Sequence, residues 1–296
     1  SNPLLQEVLS HIKQRGGKRM RPILVLLIAR LFGKVTSSTL HAAVSLELLH
    51  TASLVHDDVV DESSERRGQA SVNAVYNNKI SILVGDYLLA TCLYQAAFSS
   101  NIEIIKVVSQ LGQDLSEGEL LQLSNVSNIE ISEPVYFDII RKKTAALFSA
   151  CTKTAALSSG VGAEEVEIAR LFGEFIGICF QIKDDIFDYY DDREVGKPTG
   201  NDMREGKLTL PAIYAINNSN NAEIKSLAVN IKSGSASDSE IKEMIDYVKN
   251  NGGIEYANKV MMDYHAKALQ LIESFPKSEI KSSLISYLDY VVDRTK

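Results

Sequence analysis

Apolar and polar positions repeat with a helical period along almost the whole chain. Leu40, Ala43, Val44 and the stretch from Glu47 through Leu54 place apolar or small side chains on one broad face, as do Ile80 to Ala97 and Ile139 to Ala156. The strict alternation that marks strands is scarce. Helix stops fall at Gly33, at Ser158-Ser159-Gly160 and at Asn250-Asn251-Gly252-Gly253. Two segments read as loops: Asn125 to Pro134, and the Asn/Ser-rich stretch Asn217 to Asn221 with its echo at Ser233 to Ser239. Neither is long enough to be a disordered linker. The pattern predicts roughly ten to thirteen helices in a single all-α domain over residues 1–296.

Two acidic pentads of identical spacing interrupt this apolar background: Asp57-Asp58-Val59-Val60-Asp61, and Asp184-Asp185-Ile186-Phe187-Asp188, which continues into Asp191-Asp192. On a helix the first and last residues of a pentad stack one turn apart with the second beside them, so three carboxylates share a stripe. One such pentad is most often a solvated helix face. Two, each following an apolar run such as Ile176-Gly177-Ile178-Cys179-Phe180, require a counter-charge, because like charges at this spacing destabilise a helix. A hard divalent cation supplies it, magnesium in particular, which takes one or two carboxylates together with phosphate oxygens and water.

Cations follow each pentad: Arg66 and Arg67 the first, Lys197 and Lys207 the second. Carboxylate, metal and cation together make a diphosphate clamp. A third basic group, Gly16-Gly17-Lys18-Arg19-Met20-Arg21-Pro22, opens a helix, where backbone donors also favour an anion. His50 stands two turns ahead of Asp57 on the same face, placed to donate to a second diphosphate.

Composition removes several alternatives. The net charge of −7 and the lack of dense basic patches argue against a nucleic-acid partner. Cys92, Cys151 and Cys179 are odd in number, widely spaced and set in apolar stretches, which reads as reduced core thiols of a cytoplasmic protein. The apolar run Ile23 to Phe32 is interrupted by Arg30 and is about half a bilayer span, so it reads as a buried helix. No secretory signal is indicated at the start.

With these residues in view, the chain resembles the trans-isoprenyl diphosphate synthases, most closely their long-chain polyprenyl members. The strings carrying the resemblance are GGKRMRP, His50 through Glu62, Phe180 through Asp185, and EGKLTLP. The resemblance implies an isoprenoid synthase fold, about a dozen helices around a deep central cavity, and a homodimer. It implies condensation of isopentenyl diphosphate with an allylic diphosphate, with about three Mg2+ ions once substrate is bound. It gives Lys18, Arg21, His50 and Arg67 to the isopentenyl diphosphate pocket. Asp57, Asp61 and Asp184 become the principal metal ligands, with Asp58, Asp185 and Asp188 in support. Arg66, Lys143, Lys197 and Lys207 would contact the allylic diphosphate, and Thr144 and Gln181 would face the reacting carbon. Peripheral membrane contact for product release is a further expectation. Family members generally carry another helix ahead of GGKRMRP, so the chain looks trimmed at its start.

Product length is expected to depend on the level of Leu49, Ala52 and Ser53, one to two turns before the first pentad. Short-chain relatives place a bulky aromatic there. The small Ala52 and Ser53 would let a tail pass, giving six or more isoprene units, unless Ala52 is small only so that two helices can meet. The competing readings are a short-chain farnesyl or geranylgeranyl diphosphate synthase, a class I terpene cyclase, and a non-catalytic subunit of a heteromeric synthase. Lys18, Arg21, His50 and Arg67 argue against the cyclase, which needs no second diphosphate pocket. Two intact pentads argue against the non-catalytic subunit.

Overall fold

The computed structural model describes residues 2–14, 17, 19–66, 68–126, 132–190 and 199–295. The helices are α1 (Pro3–Gln14), α2 (Met20–Phe32), α3 (Ser37–Val60), α4 (Val72–Tyr76), α5 (Asn78–Phe98), α6 (Ile102–Val126), α7 (Glu133–Ile140), α8 (Ala146–Ser159) and α9 (Ala163–Phe187). They continue with α10 (Asn201–Arg204), α11 (Leu210–Asn217), α12 (Ala222–Lys232), α13 (Asp238–Asn250), α14 (Gly253–Glu273) and α15 (Glu279–Asp293). A π turn, Arg141–Ala145, joins α7 to α8. Among the described residues the strands are β1 (Glu65–Arg66) and β2 (Gln69–Ala70), an antiparallel pair. The all-α expectation holds. More helices appear than expected because α4 and α10 are short pieces and because the π turn divides the stretch read as one helix over Ile139 to Ala156.

The chain divides into two compact units, one of residues 1–113 and 149–170, the other of 114–148 and 171–296. In the first, α3 is started by a reciprocal cap in which Thr36 and Thr39 satisfy each other's backbone N–H groups. His41 meets Gln95 and Phe98 while His56 meets Ile82, so α3 and α5 run antiparallel. Around them Val8, Ala52, Val55, Val72, Val84 and Leu88 form a buried apolar cluster. α2 buries Leu24, Val25, Ile28 and Ala29 and stops at Gly33, as its sequence predicts.

In the second unit α11 is the central helix, burying Leu210, Pro211, Ala212, Ile213, Ala215 and Ile216. α7, α12, α13 and α14 pack around it. The π turn sits in a tight place made by two glycines. A methyl group on Gly177 of α9 would come 2.5 Å from the Ala145 Cα, and one on Gly118 of α6 would come 2.8 Å from the Lys142 Cβ. Neither approach tolerates a side chain, so both helices reach the π turn by backbone.

Gly177→Ala is therefore expected to destabilise the protein by about 1 to 3 kcal/mol, because the Ala145 backbone must shift to admit the methyl group. Gly112→Ala, within α6 and with nothing near its added methyl group, is expected to stabilise by roughly 0.5 to 1 kcal/mol. Urea midpoints of the two variants measure the contrast, and equal shifts would refute the close-packing account.

Candidate active site

Both pentads lie at the C-terminal ends of long helices, with Asp61 capping α3 and Asp188 immediately following α9. That is the negative end of the helix dipole, which adds to the mutual repulsion of the carboxylates. Within each pentad the second aspartate is the buried one.

In the first unit, Asp58 accepts from Arg66 Nε at 2.5 Å. Asn73 donates to the Asp58 backbone carbonyl at 3.1 Å and to the Ser63 carbonyl at 3.0 Å, tying the end of α3 to the segment that follows. Asp57 is half-buried and Asp61 is exposed. His50, two turns back on α3, and Arg21, on the first turn of α2, are half-buried. Arg21 and Glu47 both act electrostatically on Cys151, whose thiol burial pushes up to about 12. Leu49 is buried, and the Ser53 hydroxyl donates to the His50 carbonyl at 2.9 Å. Ala52, expected to line a tunnel, is fully buried in the apolar cluster with Val8, Val72 and Leu88, a position where helices meet. Lys18 and Arg67 lie outside the described residues.

In the second unit, Thr144 on the π turn donates to Gln181 Oε1 at 2.7 Å. Gln181 donates onward to Asp185 Oδ1 at 2.8 Å, and Tyr136 donates to Asp185 Oδ2 at 2.6 Å. The Gly177 approach sets up this relay, because Gln181 is one turn beyond Gly177 on α9 and Thr144 adjoins Ala145. Asp188 accepts the backbone N–H groups of Asn201 at 2.9 Å and Asp202 at 3.1 Å. Lys143 pairs with Glu119 and donates to Gln122 at 3.1 Å, while Lys207 donates to Glu205 at 2.5 Å. Asp184 is 41% exposed and meets Arg294 at 2.7 Å. Lys197 lies outside the described residues.

Gln122, Tyr136, Lys143, Thr144, Gln181, Asp185, Asp202 and Lys207 line a cavity of about 240 Å³. Burial pushes the Asp185 carboxyl up to about 7, against the pull of its Tyr136 and Gln181 hydrogen bonds and with help from Asp184 and Asp188. Asp188 and Asp202 are raised as well, again by burial first. Sequence reasoning missed Glu119, Gln122, Tyr136, Asp202 and Arg294. For the first two a signal was present: Glu117-Gly118-Glu119 with Gln122 on one helix, a mid-helix glycine flanked by acids. Tyr136 and Arg294 gave none, since only the fold brings them to α9.

The polyprenyl synthetase family pattern matches residues 2–248. An octaprenyl diphosphate synthase of Haemophilus influenzae is 36% identical over 293 residues, covering 99% of this chain and 89% of that protein. The chain belongs to the polyprenyl synthetase family. Among solved structures, a geranylgeranyl pyrophosphate synthase from Bacteroides thetaiotaomicron is 60% identical with a TM-score of 0.90, covering 99% of this chain and 93% of that one. A decaprenyl diphosphate synthase from Rhodobacter capsulatus is 36% identical with a TM-score of 0.93, covering 99% and 91%. Like other polyprenyl synthetases this protein is a trans-prenyltransferase that joins isopentenyl diphosphate to an allylic diphosphate, and its family is metal-dependent.

The donor set fits a hard cation of the kind such an enzyme uses. Asp57, Asp61 and Asp184 are at least partly open to solvent, Asp184 although it is paired with Arg294, whereas Asp58, Asp185 and Asp188 accept hydrogen bonds from protein donors. Among the described residues no three His, Cys, Asp or Glu side chains converge into a preformed cage. Substrate phosphates and water usually complete the shell of a small hard cation.

Asp185 makes a pH dependence testable. Its folded proton affinity lies above the ordinary carboxylate value, so between about pH 4 and about pH 7 the folded state holds a proton that the unfolded state has lost. Stability of the metal-free protein is therefore expected to fall as pH rises through that window. Asp185→Asn should flatten the slope, and thermal unfolding of both proteins from pH 4.5 to 7.5 measures it. An identical slope in the variant would remove Asp185 as the source.

Proposed function

We propose that this protein is a Mg2+-dependent synthase of a long trans-polyprenyl diphosphate, and that both acidic clusters serve one reaction, so that residues 1–296 act as a single catalytic domain. The observation that carries this reading is common to both pentads: a buried second aspartate held by protein donors, beside a first aspartate at least partly open to solvent. Neither compact unit carries both pentads. Asp57, Asp61 and Asp184 would hold the magnesium, about three ions with substrate bound, which supplies charge neutralisation to the departing diphosphate.

The remaining chemistry belongs to side chains. Arg66, Lys143, Lys197 and Lys207 take the allylic diphosphate; Lys18, Arg21, His50 and Arg67 take isopentenyl diphosphate. The allylic carbon–oxygen bond breaks with its electron pair leaving on the diphosphate. The double bond of isopentenyl diphosphate then supplies the pair for the new carbon–carbon bond, and the proton lost passes to the released diphosphate. Thr144 donates its hydroxyl hydrogen to Gln181, whose amide is in turn oriented by Asp185. The threonine oxygen is thereby held with its lone pairs available to a developing cation at the cavity wall, where water is restricted.

The long product is supported by the octaprenyl and decaprenyl synthases the chain resembles. A four-unit product is the second reading, favoured by the 60% identical geranylgeranyl pyrophosphate synthase and by the packing of Ala52 in the core. Incubation with isopentenyl diphosphate, Mg2+ and a set of allylic primers, then chromatography of the dephosphorylated products, is expected to give six or more units. Products stopping at four would overturn the long-chain reading. In the same assay Asp57→Ala and Asp184→Ala should each lose at least about a hundredfold in rate, or about 2.7 kcal/mol of barrier. Near-normal turnover at saturating Mg2+ would sink the two-cluster mechanism. Ala52→Tyr adds a check, since shortened products place the residue on the tunnel and loss of folding places it in helix packing.

A homodimer fits the surface of the first unit. Leu83, Tyr87, Tyr94 and Phe98 are exposed along one stripe of α5, with Leu40 and Val44 exposed on α3. α5 is also long and apolar enough to cross a membrane by length and composition. A self-complementary contact with a second copy accounts for such a stripe in a two-fold dimer. A cytoplasmic setting is supported by three buried free thiols. Leu83→Glu with Tyr94→Glu is expected to yield a monomer by light scattering. An unchanged dimer would move the interface elsewhere, and a parent protein that is already monomeric would refute the assembly.

A further inference from the structure

The ion pair at the start of the second pentad is formed by a residue far away in sequence. Arg294 directly follows α15 and is 8% exposed. Its guanidinium donates to the Phe180 carbonyl at 2.8 Å and to the Val291 carbonyl at 3.3 Å. It lies 4.0 Å from the centre of the Phe180 ring and 5.3 Å from that of Phe187. Its remaining contact is Asp184 Oδ1, at 2.7 Å. Two carbonyls, two rings and burial fix the guanidinium, whereas the Asp184 side chain is 41% exposed. The cation is thus built into the protein, and the carboxylate it meets is partly open to solvent.

We infer that Arg294 is a built-in counter-charge for the second acidic cluster, a positioning residue that acts through Asp184 and weakens that cluster's hold on a divalent cation when no diphosphate is bound. The inference rests on the proposed role of Asp184 as a metal ligand. The physical reason is direct. Asp184, Asp185 and Asp188 share the end of α9, and with no positive charge beside them they would bind cations from solution in the resting state. A fixed guanidinium offsets part of that charge in every state. A metal ion is then held firmly only when a diphosphate adds its own oxygens, and a metal–diphosphate product is released more readily.

Charge and geometry are separable by substitution. Arg294→Met keeps the contact with the two rings and removes the charge; Arg294→Gln does so with a polar group and serves should the methionine variant not fold. Arg294→Lys keeps the charge and loses the planar fork. The probe is Mn2+ alone, titrated without diphosphate and followed by electron paramagnetic resonance. Arg294→Met or Arg294→Gln is expected to lower the Mn2+ dissociation constant roughly three- to tenfold, with Arg294→Lys close to the parent. The gain should vanish in an Asp184→Ala background. Unchanged or weaker Mn2+ binding in the charge-free variants overturns the inference, as does a gain that persists without Asp184. Asp184→Ala with the parent's Mn2+ binding would instead overturn the metal-ligand reading on which the inference stands.

Discussion

Carboxylates gathered at the C-terminal ends of two long helices are the constraint around which this structure is arranged. Each cluster repels itself and also meets the negative end of its own helix dipole, so neither helix end is stable without donors or cations brought to it. At the end of α3 the donors come from nearby in sequence: Arg66 on the short β1–β2 hairpin takes Asp58, and Asn73 ties down the last carbonyls. At the end of α9 they come from far away: Tyr136 and Gln181 take Asp185, the Asn201 and Asp202 amides take Asp188, and Arg294 takes Asp184. The same sequence pattern is thus compensated by a cation in one place and by neutral donors plus a cation in the other. The difference explains why the Asp185 carboxyl is pushed up to about 7 by burial: its partners are a phenol and an amide, which satisfy its oxygens without cancelling its charge.

The second constraint is backbone approach. The relay from Thr144 through Gln181 to Asp185 needs α9 to lie closer to the π turn than a side chain permits, and Gly177 provides that distance. Gly118 does the same from α6, the helix that also carries Glu119 and Gln122, the partners of Lys143. A π turn widens the helix by one residue and redirects the side chains on it. Lys143 and Thr144 fall within this turn. The π turn and the two glycines therefore work together.

Much of this was legible in the chain. Helix ends at Gly33 and at Asn250 follow from stop residues, and the loops around Asn217 to Asn221 and Ser233 to Ser239 separate helices as their composition suggests. The pentads could be read because their spacing has a geometric meaning that survives without coordinates. The π turn could not be read, since Ile139 to Ala156 keeps an unbroken helical pattern and the bulge arises from packing against two glycines. Arg294 and Tyr136 were equally hidden: Tyr136 sits on α7 and Arg294 just past α15, and neither stands out until the fold brings it to α9.

Ala52 shows where local reasoning fails. Counting turns back from Asp57 gives a depth along α3, but depth does not give direction around the helix axis. Ala52 belongs to the buried cluster with Val8, Val55, Val72, Val84 and Leu88, whereas Ser53, one residue on, turns its hydroxyl back to the His50 carbonyl. Successive helical residues differ by about 100° around the axis, so a small residue at the right depth can belong to either a tunnel wall or a helix contact. Small size alone serves both purposes, because a tail and a neighbouring helix each need room. A residue that limits product length must satisfy a stricter condition: it must be at the right depth, face the tail, and be free of a packing role. Ala52 has a packing role in the buried cluster, so its small size does not by itself show a passage for the tail at that level.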